Sequence, residues 1–228
     1  KDGTPFVWNN QSNPYDNRDP RMKYTIVCNE MKWPVDPVEI WEGGTNGLPL
    51  QNATTTGYYL KKYVNNTISF EAGSTVTKKQ HNWVLFRYGE ILLNYAEAMI
   101  NAFHDPNYKD AVYNMSAREA VNQIRGRTNI SLPGFPSDIT EKDFVKRLKN
   151  ERRVELAFEG HRFWDVRRWK ELGQTANIYG VKITKNNEVI SYEKFLLETR
   201  AVTDNMYFYP IPNTERFKNP NLGQNPGW

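Results

Sequence analysis

The 228 residues (26.7 kDa) suffice for one large domain or two small ones, and an aromatic content of 14% excludes a disordered chain. No apolar run approaches the ~20 residues of a membrane-crossing helix. The 30 Lys and Arg are interleaved with 26 Asp and Glu to a net charge of +4, with no isolated basic block, which argues against a nucleic-acid partner; the single Cys28 excludes an internal disulfide and a Cys-based zinc site.

Residues 1–80 are rich in Pro, Gly, Asn and Thr. Turn dipeptides such as Asn13-Pro14, Asp19-Pro20 and Gly43-Gly44 separate two strand-like runs, Tyr24 to Val27 and Gly57 to Val64. The texture then changes. Leu85, Tyr88, Leu92, Tyr95, Met99 and Ala102 recur by threes and fours, which predicts a helix over 82–103, broken by Asp105-Pro106-Asn107. A second helix is predicted over roughly 110–126, and the two form a helical hairpin. Thr140, with Asp143 three residues on, reads as a capping box opening a third helix to about Phe158. Gly160 closes it, and a fourth helix, His161 to Leu172, completes a second hairpin. Residues 174–228 return to loops and short strands, with a β-hairpin expected around Lys185-Asn186-Asn187 and an aromatic run from Met206 to Pro210. The pattern predicts a mainly α chain, α+β with long loops. Its regions are a loop-rich 1–80 with short strands, a helical scaffold over 81–173 and a loop and strand segment over 174–228.

The third helix carries the densest charge. At ~100° per residue, Glu151, Glu155 and Glu159 all fall within about 60° of Phe144, so three carboxylates continue the apolar stripe toward the core. A glycosidase pair would need carboxylates flanking opposite faces of a sugar, and neighbours on one helix cannot do that. A structural ion network is the favoured reading, with Arg87, Arg125, Arg127 and Arg162 as partners, because the planar guanidinium fork matches a buried carboxylate. Between residues 147 and 168 there are six Arg and one Lys. No nucleophile elbow, metalloprotease motif or phosphate loop occurs, and His81, His104 and His161 lie in different segments, so neither a metal nor a cofactor is expected and the chain is not read as an enzyme. What remains is aromatic surface. Trp8, Trp33 and Trp41, beside Asn9 and Glu42 in the irregular first third, are the candidate ligand-binding residues, since flat rings with amide and carboxylate neighbours suit a pyranose. Trp164 and Trp169, in a helix with apolar neighbours, are assigned to packing.

Six blocks carry a resemblance: NPYDNRDPRMKYTI (13–26), TTTGYYLKKYV (54–64), NWVLFRYGEILLNYAEAM (82–99), AVNQIRGRTNI (120–130), ERRVELAFEGHRFWDVRRWK (151–170) and YFYPIPNTERFKNPNLGQNPGW (207–228). Together, and in this order, they resemble the C-terminal half of the SusD/RagB family. The resemblance implies a SusD-like fold with tetratricopeptide-like helix pairs and a loop-rich region bearing a glycan site. It implies a noncatalytic lipoprotein of the Bacteroidota outer membrane, facing outward and anchored through an N-terminal part that this sequence lacks. Such a protein captures oligosaccharide, or in some members peptide, and passes it to a SusC-like TonB-dependent transporter. The partners implied are therefore a glycan, that transporter and the N-terminal half of the same protein. The family's motif over 151–165 is a scaffold motif, in keeping with the ion network.

Overall fold

The computed structural model describes residues 6–9, 13–68, 75 and 77–228; residues 1–5, 10–12, 69–74 and 76 of the first predicted region lie outside them. The order is α1 (Met22–Thr25), β1 (Ile26–Val27), β2 (Tyr59–Leu60), α2 (Tyr88–Phe103), α3 (Ala117–Arg125), α4 (Glu141–Glu155), α5 (His161–Arg168), β3 (Asn177–Asn186), β4 (Val189–Thr199) and α6 (Asn213–Lys218). Short 3-10 turns occupy Leu172–Thr175 and Asp204–Tyr207. The fold is mainly helical, with long loops and, among the described residues, two small antiparallel sheets, β1–β2 and β3–β4.

The helices form where local chemistry starts and stops them. Ser116 Oγ accepts from Glu119 N while the Glu119 carboxylate accepts from Ser116 N, a reciprocal cap that opens α3. Thr140 Oγ1 accepts from Asp143 N at the start of α4. His104, left-handed at φ 57°, ends α2. The helix predicted over 82–103 begins only at Tyr88. Arg87 is extended, and Trp83, Leu85 and Phe86 ahead of it are 82%, 77% and 71% exposed. A helical residue at 87 would carry its side chain along the helix surface; the extended one sends its guanidinium to the carboxylates of Glu155, at the end of α4, and Glu159, just beyond it. Gly89 leaves room for it, since a Cβ there would lie 2.6 Å from Arg87 Nη1.

The main core is built by Leu92, Leu93, Ala96, Met99 and Ile100 of α2, Ala120, Val121 and Ile124 of α3, and Phe144 and Leu148 of α4, closed by Phe135, Ile139 and Leu156. Helix α2 thus packs on both α3 and α4. The second predicted hairpin is not a pair of helices packed along their length: α4 stops at Glu155, Phe158 and Gly160 turn the chain at φ 62° and 83°, and α5 joins α4 through Arg152 Nε to Asp165 Oδ2 at 2.8 Å. Helix α5 also ends earlier than predicted, at Arg168, followed by Lys170 at φ 56°.

A second core lies outside the helices. Val27, Val38 and Ile40 from the first third pack with Val181 and Ile183 of β3 and Tyr192 of β4. The β3–β4 hairpin folds at Asn187, whose φ of 53° is a conformation Asn tolerates well. Of the strand expected over Tyr24 to Val27, only Ile26–Val27 is extended, because Met22–Thr25 closes a helical turn on Asp19 and Arg21.

Candidate functional site

Two constellations matter: a buried charge cluster where the two cores meet, and a set of tryptophans on the second core.

In the charge cluster, Glu155 accepts from three arginines. Arg127 is bidentate, Nη1 to Oε1 at 2.7 Å and Nη2 to Oε2 at 2.8 Å; Arg87 Nη1 reaches Oε1 at 2.7 Å and Arg21 Nη1 reaches Oε2 at 2.8 Å. Arg21 also donates to Glu151, whose other oxygen accepts from Arg125 Nη1 at 2.7 Å. Glu159 accepts from Arg87 Nε and Nη2, both at 2.8 Å, and from Lys62 Nζ at 2.6 Å. Glu159 belongs to the turn after α4 and not to the helical stripe on which its spacing placed it. Arg162 is a correction: it stands apart from the cluster and donates Nη2 to Gln174 Oε1 at 2.8 Å. Its place is taken by Arg21 and Lys62, both from the irregular first third.

Burial would push the Glu155 carboxyl up, but the hydrogen bonds from Arg127, Arg21 and Arg87 outweigh it and hold the group at about 2. Glu159 is likewise held low, burial being outweighed by Arg87 and Lys62. Arg87 is held above its ordinary value: burial acts against its charge, and the bonds to Glu159 and Glu155 prevail. A general acid needs a carboxyl that keeps its proton near neutral pH, and Glu155 is the opposite case. What this arrangement can do is mechanical. Arg21 ties the loop-rich segment and its core to α4, Lys62 ties the same segment to the turn beyond that helix, and Arg87 ties the start of α2 to both. A second knot holds α5 to α2: Glu97 accepts from both Arg168 terminal nitrogens and from Trp169 Nε1.

The tryptophans sit on the second core. Trp8, Trp33 and Trp41 are each half-buried against it. Lys61 Nζ lies 4.5 Å above the Trp33 ring and Lys185 Nζ 4.6 Å above that of Trp41, while Trp8 meets Phe6 edge-on at 6.0 Å. Exposed Glu42 pairs with Lys182 at 3.3 Å, and its N–H donates to Ile183 O at 3.0 Å, fixing the loop to β3. Asn9 is exposed next to Trp8. The loop behind Trp41 is tight: Gly44 N donates to Trp41 O, Gly43 N to Leu48 O, and a Cβ at Gly47 would fall 2.0 Å from Trp41 O. Trp41 is thus carried on a tightly hydrogen-bonded loop, all three rings rest against the apolar residues of the second core, and an ammonium lies over each of Trp33 and Trp41.

Trp164 was assigned to packing and is 58% exposed instead. Helix α5 buries Asp165 and Val166 and turns Phe163 and Trp164 outward. An eight-residue helix offers too few turns for a periodicity argument to tell its inner face from its outer one.

The pattern of the SusD family matches residues 3–228. SusD-like protein P2 of Formosa agariphila is 29% identical over 163 residues, 69% of this chain and 28% of that protein. SusD-like protein P38 of the same organism is 37% identical over 150 residues, 63% of this chain and 24% of its own length. The crystal structure of a SusD-like protein from Bacteroides fragilis superposes over the whole chain with a TM-score of 0.78 at 26% identity, covering 44% of that protein. This chain therefore spans less than half the length of the relatives it matches. With the family pattern running nearly from end to end and the backbone following a solved member throughout, the chain belongs to the SusD family.

Proposed function

We propose that the chain is the ligand-bearing part of a noncatalytic nutrient-capture protein. It binds oligosaccharide at the surface of the outer membrane, to which a lipid anchor elsewhere in the full protein holds it, and delivers it to a SusC-like TonB-dependent transporter. The observation that carries this reading is the family match over residues 3–228, and the tryptophans mounted on the second core support it. Pyranose CH groups stack on Trp33 and Trp41 once the covering lysines move aside, while Glu42 and Asn9 exchange hydrogen bonds with hydroxyls. Glu155, ionised and locked by three arginines, speaks against hydrolysis by the α4 carboxylates. Isothermal titration against plant, host and microbial oligosaccharides tests the reading. Binding to at least one of them is expected, weakened about tenfold by Trp33→Ala or Trp41→Ala. Silence across the panel, with binding to peptides, overturns it in favour of peptide capture; no binding to either, with transporter complex formation and uptake unchanged when Trp8, Trp33 and Trp41 are replaced by Ala, leaves a module that mainly engages the transporter.

The apolar shoulder ahead of α2 fits the rest of such a protein. Trp83, Leu85, Phe86 and Tyr88 are all exposed. We read this face as the seat of the N-terminal half, since the matched relatives extend well beyond the aligned region. Gel filtration of the 228-residue chain is expected to show concentration-dependent association that Trp83→Ser with Phe86→Ser reduces; a compact monomer at every concentration overturns this.

A further inference from the structure

A second cleft, far in sequence from the loop tryptophans, combines stacking rings with cations. It has a volume of about 860 Å³ and is lined by Trp164, Arg167, Arg168 and Lys170 on one side and by Asp204, Tyr207 and Phe208 on the other. This is within the ~300–1,000 Å³ of ordinary ligand clefts. Both walls are held in place. Arg168 and Trp169 bind α5 to Glu97 of α2, and Trp228 Nε1 donates to Asn205 O at 2.9 Å and Phe208 O at 3.1 Å, pinning the 204–208 turn with the last residue of the chain.

The chemistry of the walls selects a ligand. Trp164 presents an open ring, edge-on to Phe163 at 5.0 Å and 6.0 Å from Tyr209. Of the three cations, Arg168 is spent on Glu97 and Asp165. Arg167 stacks on Phe163 at 3.4 Å and uses Nη1 on Phe163 O, which leaves Nε and Nη2 as a fork. Lys170 and Asp204 make no ion pair or side-chain hydrogen bond among the described residues, and both are exposed. The cleft thus offers the open ring of Trp164 facing Tyr207 and Phe208, a two-pronged planar donor, an ammonium and one carboxylate acceptor. A helix and a 3-10 turn form it, so no sheet edge is available along which an extended peptide would pair.

We propose that this cleft binds a saccharide carrying a carboxylate, the uronic-acid class. The sugar face lies on Trp164, its carboxylate takes the Arg167 fork with Lys170 beside it, and Asp204 accepts from ring hydroxyls. The proposal rests on the carbohydrate reading above and adds a place and a charge to it.

Isothermal titration with oligogalacturonate, a matched neutral galacto-oligosaccharide and a sulfated one tests it. Oligogalacturonate is expected to bind about tenfold more tightly than the other two, and more weakly as salt rises, because Lys170 is exposed and Arg167 only half-buried. Trp164→Ala and Lys170→Gln are each expected to weaken that binding severalfold without shifting the melting temperature, since both side chains are exposed. Unchanged affinity in Lys170→Gln, a preference for the neutral or the sulfated sugar, or competition by an acidic peptide that Trp164→Ala abolishes overturns the assignment. If Trp33→Ala or Trp41→Ala removes the binding and Trp164→Ala does not, the cleft is wrong and the carbohydrate reading stands. No saccharide binding at all removes both.

Discussion

Replacing Glu155 with Gln will destabilise the chain by about 3–5 kcal/mol, the scale of breaking a buried ion pair by removing one partner. The amide keeps the shape of the side chain but carries no charge and offers one acceptor oxygen where two are in use. Arg127, Arg87 and Arg21 then lose the counter-charge that holds them together, with Glu151 and Glu159 left to neutralise two of the three. Because Arg21 comes from the loop-rich segment, the variant also loosens the joint between the two cores, so any sugar affinity carried by Trp33 and Trp41 should weaken with it. Urea unfolding measures the first effect. Arg162→Ala is the control: it loses one hydrogen bond to Gln174 and should change stability by less than about 1 kcal/mol. Equal losses in the two variants would mean that the cluster is no more than a set of surface pairs.

The carboxylate side of this cluster was legible in the sequence, and the reason is periodicity. Glu151 and Glu155 continue the stripe of Phe144 and Leu148, and acids on an apolar stripe demand cations opposite them. Arg87, Arg125 and Arg127 lie on or beside the two helices that pack there and could be named in advance. Arg21 and Lys62 could not, because irregular segments have no period from which a facing direction can be inferred. Arg162 was misplaced for a related reason: it stands three positions beyond Glu159, but the left-handed turn at Gly160 sends the chain away. The start of α2 shows the same limit. Apolar residues from 83 to 88 keep a helical spacing, and spacing alone cannot report that Arg87 must be extended to reach Glu155 and Glu159. The second core was the least legible part. It joins Val27, Val38 and Ile40 to Val181, Ile183 and Tyr192 across about 150 residues, a pairing that no local pattern encodes.

Acid will reveal what the arginines contribute. In the unfolded chain Glu155 titrates near its ordinary 4.5, and in the folded chain at about 2. The folded state therefore binds fewer protons at this site than the unfolded state throughout that interval, and stability falls as pH falls. The contribution is fully present above about pH 4.5, declines through the window and is gone below about 2, amounting to about 3 kcal/mol for this one group. Glu159 and Asp19, both held low although burial acts in the opposite direction, add to the same slope. Other carboxylates titrate there as well, so the difference between parent and variant is the informative quantity. Urea midpoints at neutral pH and through the window from 4.5 to 2 should show the parent losing its advantage over Glu155→Gln as the pH drops, the two curves converging near the lower end. Parallel curves would show that Glu155 is protonated in the folded chain as readily as in the unfolded one. The three guanidiniums would then be neutralised by something other than its charge.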